Sequence, residues 1–451
     1  MKQTKISLIG AGSGCFSVGL VRDLCRSKVL QSCLVSLMDI DPQRLDAIHN
    51  ICVRYAAERN SPIRFEKTLD RRESLQGADF VINTALTASH DRLREGWKIA
   101  EKYGFRLGGS YHVMYDEAFW INFYQLRFFE DVTRDMLEIC PDAWHLMVAN
   151  PVVAGTTYLH RKYPQLKMVG ICHGYAMAEQ IAERMGYARE DIHYTIPGVN
   201  HFVWLNEAHI QGRDFFEVLD QWIETKAEDY WKTCPPSDPL GKKRLDFYKK
   251  HGVVGIGDTL SWSGAAWPWW YHTDEATERA YGEFTPMDGW NDYFQLVERN
   301  AQALQALAQD PSKPIEGNLP PMHADDLMVP LLEAFVGDIP RVLVLNTLNH
   351  GQVVPGVPED FEVEVPCLCD KRGVHPIRTK PLPRHMIAHI LRDRVAPVEM
   401  ELDAYETGSY NSLRELVLMD KWAASGQVVD QFLQEILDLP CHKEMKAHYT
   451  K

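Results

Sequence analysis

The sequence has no long apolar run, and its cysteines are few and scattered. No apolar stretch among the 451 residues approaches the roughly 18 residues that a membrane-spanning helix needs. The ten cysteines follow no regular framework, and the N-terminus lacks the features of a secretory signal. We therefore expect reduced thiols, a cytoplasmic location and no membrane partner. The spacing of Cys367 and Cys369 suits neither a zinc site nor a redox pair, and we interpret both as structural.

Positive charge is also in short supply. The chain has 48 Lys and Arg residues against 62 Asp and Glu residues, which gives a net charge of -14. This balance repels phosphate backbones and anionic lipids, so we expect no nucleic-acid partner and instead a small-molecule ligand. Hydrophobic residues make up 45% and charged residues 24%, which is typical of a globular chain rather than a disordered one. The length predicts two or three domains at about 150 residues each.

The first 25 residues predict a strand, a glycine turn and a helix. A mostly apolar strand over residues 5–9 precedes Gly10-Ala11-Gly12-Ser13-Gly14, and apolar residues recur with helical spacing over 16–25. Glycines in such a turn let the backbone approach a pyrophosphate, and free N–H groups at the helix N-terminus attract its charge. We predict a dinucleotide site formed by Gly10, Gly12, Ser13 and Gly14.

Asp39 ends a second predicted strand, over residues 34–38, and follows Gly14 by 25 residues. Dinucleotide folds place the acid that binds the adenine ribose near this position, which favours NAD over NADP. The alternative is that Asp39 only caps the helix that follows.

Two further apolar strands, over residues 78–84 and 144–150, end in polar residues. Between these strands, helical spacing predicts helices over 91–103 and 116–139. Parallel sheets present ligands to the carboxyl ends of their strands. We therefore predict that cofactor or substrate lies close to Asn83, Thr84 and Asn150.

Cys172 and His201 stand beside two other predicted strands. The first opens Cys172-His173-Gly174-Tyr175 after the strand over 167–171, and the second closes Gly198-Val199-Asn200-His201. A thiolate and an imidazole from separate strand ends can hold a divalent transition metal ion and leave positions open for substrate oxygens. A lone cysteine is also often a core residue and a lone histidine a satisfied polar one, so spacing alone leaves both interpretations open.

The C-terminal half contains no second glycine-rich nucleotide turn. Its pattern predicts strands over 341–345 and 361–365, a helix over 324–335 that Pro330 should bend or divide, and two amphipathic helices over 412–439.

These patterns predict an α/β fold. We expect a Rossmann-like, doubly wound parallel sheet over residues 1–196 that binds NAD. An α+β domain over residues 197–451 is expected to bind substrate, complete the metal site and form the oligomer contacts.

Taken together and in order, the motifs resemble glycoside hydrolase family 4, the NAD- and metal-dependent glycosidases. The resemblance covers nearly the whole chain and implies that Cys172 and His201 bind a divalent metal, with Mn²⁺ the expected ion. It also implies a homodimer or homotetramer. The matching segments are Gly10-Ala11-Gly12-Ser13, Asn150-Pro151, Gly170-Ile171-Cys172-His173-Gly174-Tyr175, Gly198-Val199-Asn200-His201, Gly257-Asp258, Asn346-Thr347-Leu348-Asn349-His350-Gly351 and Val363-Glu364-Val365-Pro366.

The resemblance implies an oxidoreductive hydrolysis, in which NAD oxidises C3 of the sugar, a base removes the C2 proton, the leaving group is eliminated, water adds and the hydride returns. Asn150 and Asn200 would bind the sugar. His173 would either protonate the leaving oxygen or donate to a sugar hydroxyl. Asp258, in a flexible turn, is the preferred base, and Tyr271 is the alternative.

The tetrad that starts at Cys172 resembles the α-glucuronidase branch, so a small uronide is the expected substrate. An Arg, Lys or His in the pocket should then meet its carboxylate. An α-galacturonide or a neutral α-glycoside remains an alternative. The Rossmann half alone would also suit an NAD-dependent 2-hydroxyacid dehydrogenase or a non-catalytic NAD sensor.

Two segments of the sequence leave their roles open. Many family members carry a glycine-rich, Arg-containing segment where this chain has Tyr111-His112-Val113-Met114-Tyr115-Asp116, so the family's sugar contacts do not transfer there. The stretch from Trp262 to His272 contains four tryptophans, which could stack on sugar or form a packed ridge.

Overall fold

In a computed structural model, residues 3–261, 263, 266–283, 286–320 and 327–450 are described. Within them, six parallel strands run in the spatial order 3-2-1-4-5-6, which is the order of a Rossmann dinucleotide-binding sheet. The predicted parallel sheet is confirmed. Its strands are β1 (Lys5–Ile9), β2 (Leu34–Met38), β3 (Arg64–Thr68), β4 (Phe80–Asn83), β5 (Trp144–Met147) and β6 (Met168–Gly170).

Two small antiparallel sheets follow the parallel strands along the chain. One contains β7 (Ile192–Thr195), β10 (Glu207–Ile210) and β11 (Arg213–Asp214). The other contains β8 (Gly198–Val199), β9 (Phe202–Leu205) and β12 (Val254–Ile256). The turn between β8 and β9 holds His201, and the turn after β12 holds Asp258. The second sheet therefore places two predicted site residues, His201 and Asp258, at the same end of its strands.

Three strands from the C-terminal half extend the main sheet to nine strands: β13 (Arg341–Leu348), β14 (Glu362–Asp370) and β15 (Gly373–Pro376). They are antiparallel, and β13 joins β6 where Asn346 pairs with Gly170. The strands predicted in this half are confirmed, but they complete the Rossmann sheet rather than a sheet of their own. The main sheet thus crosses the division expected at residue 196, and the assignment of separate domains stays a prediction.

Helices cover both faces of the main sheet and the region beyond it. They are α1 (Cys15–Leu24), α2 (Pro42–Glu58), α3 (Arg71–Leu75), α4 (His90–Lys102), α5 (Phe119–Ile139), α6 (Val152–Lys162), α7 (Met177–Met185), α8 (Phe215–Tyr230), α9 (Lys242–His251), α10 (Glu275–Ala280), α11 (Pro286–Gln309), α12 (Met328–Gly337), α13 (Arg384–Ile390), α14 (Ala396–Thr407), α15 (Tyr410–Leu418), α16 (Gly426–Leu437) and α17 (Lys443–His448). Among the described residues, no helix has both the length and the apolar composition to cross a bilayer.

The predicted helices are confirmed with shifted ends. The helix α5 begins at Phe119 rather than at residue 116, which leaves two acidic residues in the turn before it. Pro330 lies in the first turn of α12, where its missing N–H has no intrahelical partner to lose, so the expected bend is wrong. Residues 324–326 of that predicted helix lie outside the described residues. The two tail helices correspond to α15 and α16.

One large buried cluster of apolar side chains runs from β1 to α17 and includes both halves of the chain. A smaller cluster lies between α7 and β12. Burial of apolar area supplies most of the folding free energy, so the large cluster ties the C-terminal strands and helices to the Rossmann sheet. Cys367 and Cys369 belong to this cluster, which confirms that they are structural.

Candidate functional site

The glycine turn lies between the carboxyl ends of β1 and β4, where the strand order reverses. Gly10 has a φ of 85°, and a Cβ there would lie 2.7 Å from the backbone of Ala85. Thr84 Oγ1 donates to the carbonyls of Ile9 and Gly10 at 3.1 and 3.3 Å. The buried Asn83 accepts the N–H of Ala85 at 3.1 Å. Thr84 and Asn83 therefore shape the wall of the predicted NAD turn.

Asp39 closes the outer side of this turn. Its carboxylate accepts the N–H of Gly12 at 2.7 Å and that of Asp41 at 3.0 Å. A Cβ on Gly12 would lie 2.8 Å from that carboxylate, so a side chain there would displace it. The N-cap of α2 is Asp41 rather than Asp39, so the capping alternative is wrong.

Two contacts connect the glycine turn and the loop after β12 to Cys172. The rings of Phe16 and His173 lie 5.8 Å apart, which places the start of α1 beside the cysteine motif. Gly174 and Gly257 meet backbone to backbone: a Cβ on Gly257 would lie 2.6 Å from the Cα of Gly174. Asp258 follows Gly257 directly, so this close approach brings its carboxylate to the cysteine loop.

His201 completes the group. Its backbone has a φ of 57°, which is uncommon for a residue with a side chain. The imidazole lies beside Cys172, and its Nε2 lies 3.5 Å from Oδ2 of Asp258. The structure thus assembles three residues that sequence reasoning predicted separately.

The opposite side of His201 is held by three residues of the segment before α5. Tyr111 donates its hydroxyl to the His201 carbonyl at 2.8 Å, and the Tyr115 hydroxyl lies 3.0 Å from Nδ1. Oε1 of Glu117 lies 3.1 Å from the same nitrogen. A carboxylate at one ring nitrogen fixes the tautomer and leaves the other nitrogen free to ligate. Glu117 and Tyr115 therefore direct Nε2 towards Cys172 and Asp258.

The donor set fits a divalent transition metal ion. A thiolate and an imidazole are its typical protein ligands, and further positions can come from substrate oxygens. Among the described residues, no group of three or more His, Cys, Asp and Glu side chains has the arrangement of a complete metal cage. Two candidate ligands with other positions left open suit a catalytic metal site better than a structural one, which four protein ligands would close.

Acidic groups surround this centre and are buried. Burial and the neighbouring Glu117 raise the pKa of Asp116 to about 7. Burial raises the pKa of Glu364 to about 7 despite its hydrogen bond from Asn200. Burial lowers the pKa of His201, but its bonds to Cys172 and Glu117 outweigh that effect, and the pKa is raised well above its usual value. So many carboxyl groups around one imidazole create a site that favours a cation.

The residues predicted to bind sugar are divided by the structure. Asn150, at the end of β5, is partly exposed, and its side-chain amide lies 3.4 Å from Oδ2 of Asp116. His173 lies beside Cys172 and Phe16. Asn200 is fully buried and donates its side-chain amide to Glu364 at 3.0 Å, so its predicted contact with substrate stays a prediction.

Tyr271 and the tryptophan stretch lie in other surroundings. The Tyr271 hydroxyl donates to Asp246 at 2.6 Å, and its ring contacts Tyr281 at 4.6 Å. Of the two candidate bases, Asp258 is the one that lies beside a predicted metal ligand, His201. Trp267 is buried against Phe202, which favours the packed ridge over the stacking surface for this residue. Trp269 and Trp270 are partly exposed, and Trp262 lies outside the described residues.

Sequence reasoning gave no role to the residues that surround His201. A usable signal existed for the acidic residues, because acidic pairs in otherwise apolar segments need a local partner, whereas the two tyrosines carried none. The adjacent acids before α5 and the alternating glutamates of β14 are such pairs. The residues around His201 that had no predicted role are Tyr111, Tyr115, Glu117, Glu362 and Glu364.

Comparisons with known proteins identify the family of this chain. The family model "Family 4 glycosyl hydrolase" matches residues 5–187, and the model of its C-terminal domain matches residues 196–423. The chain is 26% identical to the alpha-glucosidase of Erwinia rhapontici over 92% of this chain and 93% of that protein. It is 24% identical to the alpha-galacturonidase of Thermoanaerobacterium saccharolyticum over 86% of this chain and 85% of that protein.

A solved structure gives the same fold. It is that of a 6-phospho-alpha-glucosidase from gut microorganisms, described in complex with NAD and Mn²⁺. The TM-score is 0.78 at 16% identity, and the alignment covers 98% of this chain and 99% of the other.

Proposed function

We infer that this chain, which belongs to family 4 of the glycosyl hydrolases, hydrolyses α-linked uronides with bound NAD and a divalent metal ion. The observation that carries this inference is the joining of three parts in one site. The glycine turn reaches His173 through Phe16, and the cysteine loop meets the Asp258 turn at Gly174. An NAD-dependent dehydrogenase would need only the glycine turn, and membership of a glycosyl hydrolase family excludes the dehydrogenase alternative.

The cofactors follow from the donor groups and from the relatives. The glycine turn with Asp39 suits NAD, and Cys172 with His201 suits a transition metal, with Mn²⁺ the expected ion. The solved 6-phospho-alpha-glucosidase described with NAD and Mn²⁺ supports both. When bound, NAD supplies hydride transfer at C3 of the sugar and the metal polarises the sugar oxygens.

The chain's own residues supply binding and proton transfer. Asp258, whose side chain is 33% exposed, is open to substrate and takes the C2 proton. Asn150, partly exposed at the end of β5, binds a sugar hydroxyl. His173 protonates the leaving oxygen or donates to a hydroxyl. The buried segment from Tyr111 to Glu117 keeps the His201 side of the site dry, which strengthens the electrostatic interactions inside it.

The uronide assignment rests on the tetrad from Cys172 to Tyr175, which resembles the α-glucuronidase branch. The relative named alpha-galacturonidase supports an acidic sugar as substrate, whereas the relative named alpha-glucosidase supports the alternative of a neutral sugar. α-Glucuronide is the favoured substrate. A cytoplasmic location and a homodimer or homotetramer remain predictions.

A substrate panel tests this function. The enzyme with NAD and Mn²⁺ is incubated with p-nitrophenyl α-glucuronide, α-galacturonide, α-glucoside and β-glucuronide, and nitrophenol and NADH are followed together. We expect the fastest release from the α-glucuronide, with no net NADH. The α-galacturonide as best substrate would replace the sugar assignment. Release only from the neutral glycoside would contradict the uronide proposal.

A further inference from the structure

Two glutamates of β14 contact the residue that precedes His201. Oε2 of Glu362 accepts the backbone N–H of Asn200 at 3.1 Å, and Oε2 of Glu364 accepts its side-chain amide at 3.0 Å. All three residues are fully buried. Since side chains two positions apart along a strand face the same side, the two carboxyl groups act on Asn200 together.

This arrangement is costly to bury. Each glutamate leaves its Oε1 without a hydrogen-bond partner among the described residues, and Asn200 does the same with its Oδ1. Buried carboxyl groups without full pairing reduce the free energy of unfolding. Glu362 is in turn tied to the Rossmann half, because Thr157 Oγ1 accepts its backbone N–H at 3.1 Å.

Asn200, which the two glutamates hold, directly precedes a residue with a strained backbone. His201 adopts a positive φ of 57° directly after Asn200. Such conformations persist only where the surroundings hold them in place. Tyr111 fixes the carbonyl side of His201 at 2.8 Å, and Asn200 is the connection on its amide side.

We propose that Glu364, with Glu362, is a positioning residue for the metal site: it fixes Asn200 and thereby the direction of the His201 imidazole. The inference rests on the proposed function in taking Cys172 and His201 as metal ligands. It also gives Asn200 a role through the backbone of the next residue rather than through contact with sugar.

The test compares Mn²⁺ and NAD affinities of the full-length protein. Mn²⁺ binding is measured by electron paramagnetic resonance of the free ion, and NAD binding by protein fluorescence. We expect Glu364→Leu to raise the Kd of Mn²⁺ by about 10- to 100-fold, as outer-shell substitutions do. Glu364→Gln keeps an acceptor oxygen and should restore most of the affinity. The Kd of NAD should stay unchanged in both variants.

Glu130→Leu is the matched control. Glu130 is also largely buried and accepts hydrogen bonds from the hydroxyls of Tyr158 and Tyr405. Its loss should lower the Tm and leave the Kd of Mn²⁺ unchanged. If Glu364→Leu does not fold, Asn200→Ser breaks the same hydrogen bond from the other side and should weaken Mn²⁺ binding equally.

Failure of the inference can be told apart from failure of the proposed function. Wild-type protein that binds no Mn²⁺ would contradict the metal site itself. Wild type that binds Mn²⁺ while Glu364→Leu or Asn200→Ser binds it equally well would overturn the positioning role alone. Equal weakening of Mn²⁺ and NAD would also overturn it, because it would indicate a general loss of structure.

Discussion

Cys172→Ser should lose glycoside hydrolysis almost completely, by about 10³-fold or more in kcat/KM, because a metal at the reacting sugar contributes several kcal/mol. A serine hydroxyl keeps its proton at neutral pH and is a poor ligand for a transition metal. The thiol lies beside His201 and accepts the N–H of Gly174 at 3.4 Å, so the substitution changes one donor atom in a fixed site. Nitrophenol release and Mn²⁺ binding are the measurements.

Cys234→Ser is the matched control for this substitution. Both cysteines are partly exposed, and burial raises the pKa of each thiol. Cys234 lies after α8, and its replacement should leave kcat/KM unchanged. Full turnover in Cys172→Ser would contradict the catalytic metal site and would favour the non-catalytic NAD sensor. NAD binding should survive in both variants, because neither thiol belongs to the glycine turn.

Asp258→Asn has the second largest expected effect, a loss of about 10²- to 10⁴-fold in kcat, which is the usual contribution of a general base. The amide keeps the shape of the side chain and its contact with Ser263 but cannot take a proton. Oδ2 of Asp258 lies 3.5 Å from Nε2 of His201, which puts the carboxylate beside a predicted metal ligand. The kcat is measured on the best substrate of the panel, with NAD and Mn²⁺ saturating.

Tyr271→Phe separates the two candidate bases. The Tyr271 hydroxyl is already engaged with Asp246 in the structure, and burial together with that carboxylate raises its pKa strongly. Its loss removes a hydrogen bond to Asp246 and no group beside His201, so kcat should change by less than about tenfold, or about 1.4 kcal/mol. A larger loss in Tyr271→Phe than in Asp258→Asn would transfer the role of base to the tyrosine.

The Rossmann part was predictable because its signals are local. The apolar strand β1 leads directly into closely spaced glycines, a pattern typical of a dinucleotide-binding turn. Asp39 ends the next strand, β2, at the distance from these glycines that is expected of the ribose-binding acid. The edge strand β3 (Arg64–Thr68) escaped prediction because its side chains are mostly polar and exposed. An edge strand has one hydrogen-bonded neighbour and needs little apolar area.

The assembly of the site was less predictable, because it depends on contacts between distant parts of the chain. Sequence placed Cys172 and His201 at strand ends and Asp258 in a flexible turn, but nothing local indicated that Gly174 and Gly257 meet. The start of α5 also affects the site. A helix that began at residue 116 would have included Glu117, whereas the actual start at Phe119 leaves Glu117 in the preceding turn, beside His201.

The C-terminal strands illustrate the same limit. The alternation of Val and Glu in β14 predicted a strand, but not that β13 would pair with β6 through Asn346 and Gly170. That single pairing brings β14 beside the turn of His201. Strand partners far apart in sequence are fixed by the tertiary packing of both faces, which a single sequence does not specify.

Deuterium incorporation at C2 of the released sugar tests the central claim most directly. Hydrolysis of the best p-nitrophenyl glycoside is run in D₂O with NAD and Mn²⁺, and the free sugar is analysed by NMR. An oxidoreductive route removes the C2 proton to a group such as Asp258 that exchanges with solvent, so we predict deuterium at C2 and hydrogen at C3 returned from NADH. A product that keeps its C2 hydrogen at full turnover would contradict the account.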